Sequence, residues 1–312
     1  MEKKSILKNL MILAIRMNRA KQSVLEEFEN FRGRVEPTEA EKSGISASHN
    51  KIRDILDNST EITVVDSFLT GSYARQTMIR PLKDVDFFVQ MYYRVHKNDT
   101  PLVLLNKIRK VLSKAYPLSP VKVMPPCIRV QFKYCHFEIA PSFGVQGNDN
   151  LFLIPNDKGT EWQETYPKIP DNWMTEENKK SEGLFIPTIK MIKRWRDTHH
   201  IPIRSFHLEM LTRMAFDNDK IEDYVQGVWA FFARTSYLFG YNYTPFVQEP
   251  GRSGVYVDQY LYDNPLTLES VKLKIRQHIS YAQKALDFMN KGQIGSAKAY
   301  WRIILGSDFH TS

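Results

Sequence analysis

Two aspartates stand one residue apart in an apolar run: Asp84 and Asp86 in "KDVDFFVQMYY", whose β-branched and aromatic residues predict a buried strand. Side chains at i and i+2 of a strand point to one face, so both carboxylates project together. Two anions this close repel, and burying either without a partner is unfavourable. A strand keeps such a pair where a cation comes to sit between them, and magnesium is the leading candidate. The stretch commits this part of the chain to a sheet.

The surrounding sequence divides by character. Residues 1 to 58 read as helical: one segment runs through "SVLEEFENF", "GRVEPTEA" breaks it, and "HNKIRDILDN" continues it. This segment is expected to brace two lobes. Residues 59 to 181 carry short β-rich runs ("EITVVDSFL", "DVDFFVQMYY", "VKVMP", "CIRVQFKY", "FEIA") interrupted by the helix "PLVLLNKIRKVLSKAY". That mixture predicts an α+β core with helices flanking a sheet. Within it, residues 144 to 181 are rich in Gly, Asn, Pro and Asp and read as a long loop or lid. Residues 182 to 312 are nearly all helical, from "GLFIPTIKMIKRWRDTHH" to "GSAKAYWRIIL".

Composition narrows the partners. A formal net charge of +8 favours an anionic partner such as nucleotide phosphate or nucleic acid, although solvated lysines give the same total. The two cysteines, Cys127 and Cys135, belong to no zinc-spaced cluster and suit a reducing cytoplasm. The opening "MEKKSILKNLMILAIRMNRA" is interrupted by Lys8, Asn9 and Arg16 and reads as an amphipathic helix rather than a leader. No apolar run has the length of a membrane span, so a cytoplasmic protein without a membrane partner is expected.

Three further groups bear on chemistry. Gly71 and Ser72 end one strand and open "YARQT", a turn that presents backbone N–H groups and a hydroxyl to an anion. Alone, Ser72 would simply be a helix cap; beside the D-x-D strand, it places a phosphate site next to a metal site. Glu138 lies between Phe137 and Ile139 in an apolar strand. On its own such a residue faces solvent; beside Asp84 and Asp86 it is a third metal ligand, close enough to a sugar hydroxyl to help remove its proton. In the helical part, Lys190 and Lys193 share a helix face, and Ser205 and Phe206 open "SFHLEML". These are either a solvated lysine face and an ordinary cap, or Lys193 and Ser205 on triphosphate oxygens with Phe206 against a base.

"GSYARQTMIRPLKDVDFFV" resembles the GS…D-x-D signature of the DNA polymerase β-like nucleotidyltransferases. More narrowly, the chain is similar to the bacterial CD-NTases, relatives of animal cyclic GMP–AMP synthase and oligoadenylate synthase. "GTEWQETYP", "IPTIKMIKRW", "SFHLE" and "KGQIGSAKAYWRIILGSDF" follow that family's order, and the likeness runs from about residue 38 to the end. The resemblance implies a polymerase β-like lobe with a mixed twisted sheet, followed by an all-helical lobe. It assigns Gly71 and Ser72 to donor phosphates, and Asp84, Asp86 and Glu138 to two Mg²⁺ ions, with Mn²⁺ as a substitute. Lys193 and Ser205 would contact the triphosphate and Phe206 the base. The third acid in relatives is often Asp, and Glu stands here. No counterpart of the zinc insertion that grips DNA in the animal enzyme is present, so no DNA activator is expected.

The implied activity is synthesis of a cyclic oligonucleotide second messenger from ATP and a second NTP, with pyrophosphate released, in CBASS-type antiphage defence. A dinucleotide ring is favoured at this level. A monomer working with regulatory or effector proteins of a defence operon is expected. Two alternatives use the same residues: a linear nucleotidyltransferase acting on RNA ends or protein side chains, and a non-catalytic nucleotide-binding module. Retention of all three acids weighs against the last, because unused clustered carboxylates repel.

Overall fold

The strand expected around Asp84 forms, and a sheet is built outward from it. The computed structural model describes residues 2–217, 219–241 and 244–311. In chain order the first elements are α1 (Glu2–Val35), α2 (Glu39–Asp57), β1 (Val64–Thr70), α3 (Gly71–Ala74), β2 (Asp84–Met91), α4 (Tyr93–His96) and α5 (Pro101–Ala115). Then come β3 (Val121–Met124), β4 (Cys127–Gln131), β5 (His136–Val145), β6 (Asn148–Pro155), β7 (Trp162–Thr165) and α6 (Lys168–Lys180). The chain ends with α7 (Phe185–Thr198), α8 (Ser205–Ala215), α9 (Tyr224–Tyr241), α10 (Gln259–Tyr262), α11 (Pro265–Asn290) and α12 (Ile294–Leu305). Contacts gather these into two units, Pro37–Thr175 and Met1–Glu36 with Glu176–Ser312.

The first unit holds the sheet, in the order β1-β2-β5-β4-β3, with β6 pairing β5 and β7 pairing β6. β2 and β5 run parallel, while β1, β4, β3, β6 and β7 pair antiparallel to their neighbours. Alternation sorts the faces. Val85, Phe87 and Val89 of β2, Phe137 and Ile139 of β5, and Ile128 and Val130 of β4 are fully buried in one core. That core includes Ile45, Ile52 and Leu56 of α2 and Leu104, Leu105, Ile108 and Leu112 of α5. Each such side chain contributes roughly 1.5–3 kcal/mol by leaving water. With one face so committed, a slip of one residue would send Phe87 to solvent and Asp86 into the core, so the register is strongly specified. Thr38 starts α2 with a capping box: its hydroxyl accepts from Glu41 N at 3.2 Å, and Glu41 accepts from Thr38 N at 2.7 Å.

Residues 144–181 are a correction to the sequence reading. They form β6, β7 and α6 rather than a long loop. Gly147, Asn156, Asp157 and Gly159 make the turns, while Asn148, Asp149 and Asn150 lie within β6 and Asp171, Asn172 and Asn178 within α6. Gly147, at φ +85°, turns β5 into β6. Asn156 Oδ1 accepts from Lys158 N at 3.2 Å and Thr160 N at 3.0 Å, closing the turn into β7. Trp162 meets Phe143 edge to face at 4.8 Å between centroids.

The second unit is helical. α1 packs on α7, α9, α11 and α12. Phe28 of α1 meets Trp301 of α12 edge-on at 5.2 Å and Phe309 at 5.0 Å. Trp195 of α7, fully buried, meets Phe232 of α9 at 5.0 Å and His278 of α11 at 5.6 Å. Among the described residues no helix is long and apolar enough to cross a membrane.

Candidate active site

The face of the sheet opposite the core carries the chemistry. β2 and β5 lie in parallel register, with Asp84 beside His136 and Asp86 beside Glu138. The period of two places all four side chains on one side, and all four are partly buried. Glu138 therefore lies across the parallel strands from Asp86. The one grouping with metal-ligand spacing among the described residues includes His136. Ligand atoms of Asp84, His136 and Glu138 all come within 4.8 Å of one another, and Asp86 lies outside this trio.

Asp86 is placed by the turn before it. Thr70 of β1 pairs with Asp86, and Gly71 follows at φ +68°. A Cβ at Gly71 would lie 2.7 Å from Asp86 Cγ, so only glycine lets the turn pass this carboxylate. No side chain caps α3, so Ser72 is not the ordinary helix cap that the bland reading offered. Instead, the Ser72 carbonyl accepts from Thr77 N at 2.9 Å and Met78 N at 3.1 Å, which ties down the loop leading to Asp84.

Arg129 of β4 sits opposite Glu138 in the antiparallel pairing. Its Nη2 donates to Glu138 Oε1 at 2.5 Å and its Nε to the same oxygen at 3.2 Å. Both bonds converge on Oε1 and leave Oε2 outside the pair. Glu138 in turn holds the guanidinium above its ordinary pKa, chiefly through this hydrogen bond. The two thiols report the local charge. Burial, then the nearby Glu138, pushes Cys127 up to about 12, and burial, then Asp84, pushes Cys135 up to about 11. Both are free cysteines, and burial keeps them protonated at neutral pH.

Beside the acids on the same face lies an apolar cluster of Phe88, Cys127, Ala140 and Phe152, flanked by Phe68 and Ile154. Lys168 at the start of α6 stands over the Phe68 and Phe152 rings, 5.5 and 5.1 Å from their centroids. Arg75, after α3, reaches Asp171 of α6 at 3.4 Å.

Lys193, Ser205 and Phe206 belong to the helical unit. Lys193 is 2% exposed and its ammonium bonds Glu209 Oε1 at 2.5 Å. Lys190 is also buried and reaches Glu36 at 2.9 Å. The solvated lysine face that the sequence allowed is therefore absent at these two positions. Ser205 opens α8, but the N-cap is Arg204 and no side chain caps it; Ser205 Oγ accepts from Arg196 Nη1 at 2.7 Å. Phe206 is half-buried.

His136 and Arg129 escaped the sequence reading. A signal for His136 was present, because H-x-E on β5 repeats the i, i+2 spacing of D-x-D on β2. Arg129 gave none, since it meets Glu138 only through the β4–β5 register.

A mixed sheet with carboxylates gathered on one face beside a Gly-Ser turn is the architecture of metal-dependent nucleotidyl transfer. The chain belongs to the family of the Second Messenger Oligonucleotide or Dinucleotide Synthetase domain, whose model matches residues 23–178. It is a bacterial CD-NTase, and metal dependence is typical of that family. It is 27% identical over 310 residues to a cyclic AMP-AMP-AMP synthase of Acinetobacter sp., spanning 92% of this chain and 85% of the relative. It is 22% identical to a cyclic AMP-AMP-GMP synthase of Enterobacter hormaechei, over 91% of each chain. The fold matches that of E. coli MS115-1 CdnC solved with ATP, at TM-score 0.70 and 18% identity, over 92% of this chain and 98% of that one. CdnC has also been solved in a complex with HORMA-deltaN, a match at TM-score 0.68 and 18% identity over the same shares.

Proposed function

We propose that this enzyme condenses nucleoside triphosphates into a cyclic trinucleotide containing adenine, as the second messenger of a CBASS-type defence. The register that sets Asp84 beside His136 and Asp86 beside Glu138 carries the chemical part of this reading. The relatives named for three-base products support the ring size, and the dinucleotide expected from sequence is the alternative that product mass separates.

In this reading Gly71 and Ser72 receive the donor phosphates, and Asp84, Asp86 and Glu138 hold two Mg²⁺ ions, for which hard carboxylate oxygens are suited donors. Bound there, such ions would supply Lewis acidity toward a phosphate and would offset the charge of a leaving pyrophosphate. A ribose hydroxyl oxygen bonds to the α-phosphorus as its bond to the pyrophosphate oxygen breaks, and Glu138 Oε2 takes the hydroxyl proton. The sequence-based assignment of Lys193 and Ser205 to the triphosphate and Phe206 to a base would require Lys193 to leave Glu209 and Ser205 to leave Arg196. The enzyme acts as a cytoplasmic monomer, consistent with its two free thiols, and answers to a regulatory protein.

The test is the product formed by purified protein with Mg²⁺ or Mn²⁺ and NTPs supplied singly and in mixtures. A phosphatase-resistant product with the mass of three nucleotide monophosphate residues is expected. Only linear, phosphatase-sensitive products would refute ring closure, and a two-residue ring would refute the ring size.

Arg129 acts in this scheme by fixing Glu138. Arg129→Met should lower turnover by about 10–100-fold, the usual penalty for losing a partner that orients a metal ligand. The pair is partly exposed, with side chains 37% and 21% accessible, so stability should fall by about 1 kcal/mol or less. Arg129→Lys should recover part of the rate. A Met variant with wild-type turnover would remove Arg129 from the mechanism.

A further inference from the structure

We infer that His136 is a nitrogen ligand in the metal site and inclines that site toward Mn²⁺ over Mg²⁺. The inference rests on the reading that this face binds divalent ions, and extends it to a residue that the acidic triad does not include.

The placement follows from the backbone. His136 is the in-register neighbour of Asp84 across two parallel strands, and it lies two residues from Glu138 on β5. Its ring must share their face. Ligand atoms from Asp84, His136 and Glu138 all lie within 4.8 Å of one another. Six-coordinate ions with bonds of about 2.1 Å hold adjacent donors about 3 Å apart and opposite donors about 4.2 Å apart, so small side-chain rotations close this trio on one ion.

The ring's one described contact is an ion-pair approach to Glu138, with no hydrogen bond. His136 Nε2 stands 3.6 Å from Glu138 Oε1, beyond hydrogen-bond distance, and that oxygen already takes both Arg129 bonds. The His136 backbone N–H is satisfied by the Lys83 carbonyl at 3.1 Å, which fixes the strand without engaging the imidazole. The side chain is 21% accessible, enough for an ion and its waters to reach.

The donor set decides the metal. Mg²⁺ takes oxygen donors and retains its waters, whereas imidazole nitrogen favours first-row transition ions. Two carboxylates and one imidazole would suit Mn²⁺ better than Mg²⁺. The competing account makes His136 only a charge partner of Glu138, with no bond to metal.

Electron spin-echo spectroscopy on full-length, untagged protein loaded with Mn²⁺ separates these accounts. Modulation from a directly bound histidine nitrogen is expected. It should convert to the ¹⁵N pattern when the protein carries ¹⁵N-histidine, and disappear in His136→Gln. Mn²⁺ affinity in that variant should fall by about tenfold or more, since even an outer partner of a ligand is worth that much. Asp84→Asn, measured in parallel, should weaken Mn²⁺ binding whichever account holds. If Mn²⁺ binds in an Asp84-dependent way without histidine coupling, the role of His136 is overturned and the metal reading survives. If wild-type protein binds no Mn²⁺, or binds it regardless of Asp84, both fall. The ¹⁵N-labelled wild type answers the question even if His136→Gln does not fold.

Discussion

Replacing Asp84 and Asp86 together by asparagine should leave a folded protein that no longer joins nucleotides. The expected loss in kcat/KM is about four orders of magnitude or more, equivalent to about 5 kcal/mol of transition-state stabilisation. Asparagine keeps nearly the same volume but offers a neutral oxygen in place of a carboxylate, so divalent ions lose their main anchors while the strand keeps its shape. The core face of β2 is untouched, because Val85, Phe87 and Val89 point the other way. Stability should therefore move by about 1 kcal/mol or less. Pyrophosphate release and urea unfolding, measured on the same preparations, check both halves. A double variant with more than about one hundredth of wild-type activity would contradict metal-dependent transfer on this face.

Gly71→Ala should produce the second-largest effect, through geometry rather than charge. At φ +68° an L-residue is strained by roughly 1–2 kcal/mol. The new methyl would also lie 2.7 Å from Asp86 Cγ, so either the turn or the carboxylate must move. Misplacing a catalytic group by about 1 Å costs about 100-fold in rate, and that is the drop expected here. Gly147→Ala is the control. Gly147 is also at positive φ, but nothing lies within 4 Å of its Cβ direction. Both variants should lose thermal stability to the positive φ, Gly71→Ala the more because of its clash with Asp86, while only Gly71→Ala loses activity. Equal activity in both would show that the approach of Gly71 to Asp86 has no part in catalysis.

Much of this site could be read from local spacing. Asp84 and Asp86 announced their strand and their shared face, because a period of two is a property of the extended backbone itself. Glu138 gave no such local signal, since by itself it read as solvent-facing, whereas H-x-E on β5 repeats the spacing. Residues 144–181 were misread because turn-forming Asn, Gly and Asp outnumber the alternating apolar residues of β6 and β7, and local composition cannot show that β5 offers those strands an edge. The lysines of α7 were likewise ambiguous. Helical spacing puts Lys190 and Lys193 on one face but says nothing of Glu36 and Glu209, which draw both ammoniums inward.

By itself, then, the chain's order of residues determined which segments alternate and which side chains share a strand face. Only the tertiary structure decided that Asp86 stands beside Glu138, that Arg129 takes one of Glu138's oxygens, and that Lys193 is buried against Glu209. The physical reason is range. Backbone geometry acts over a few residues, whereas strand order, register and helix packing are settled by burying apolar surface from segments far apart in the chain.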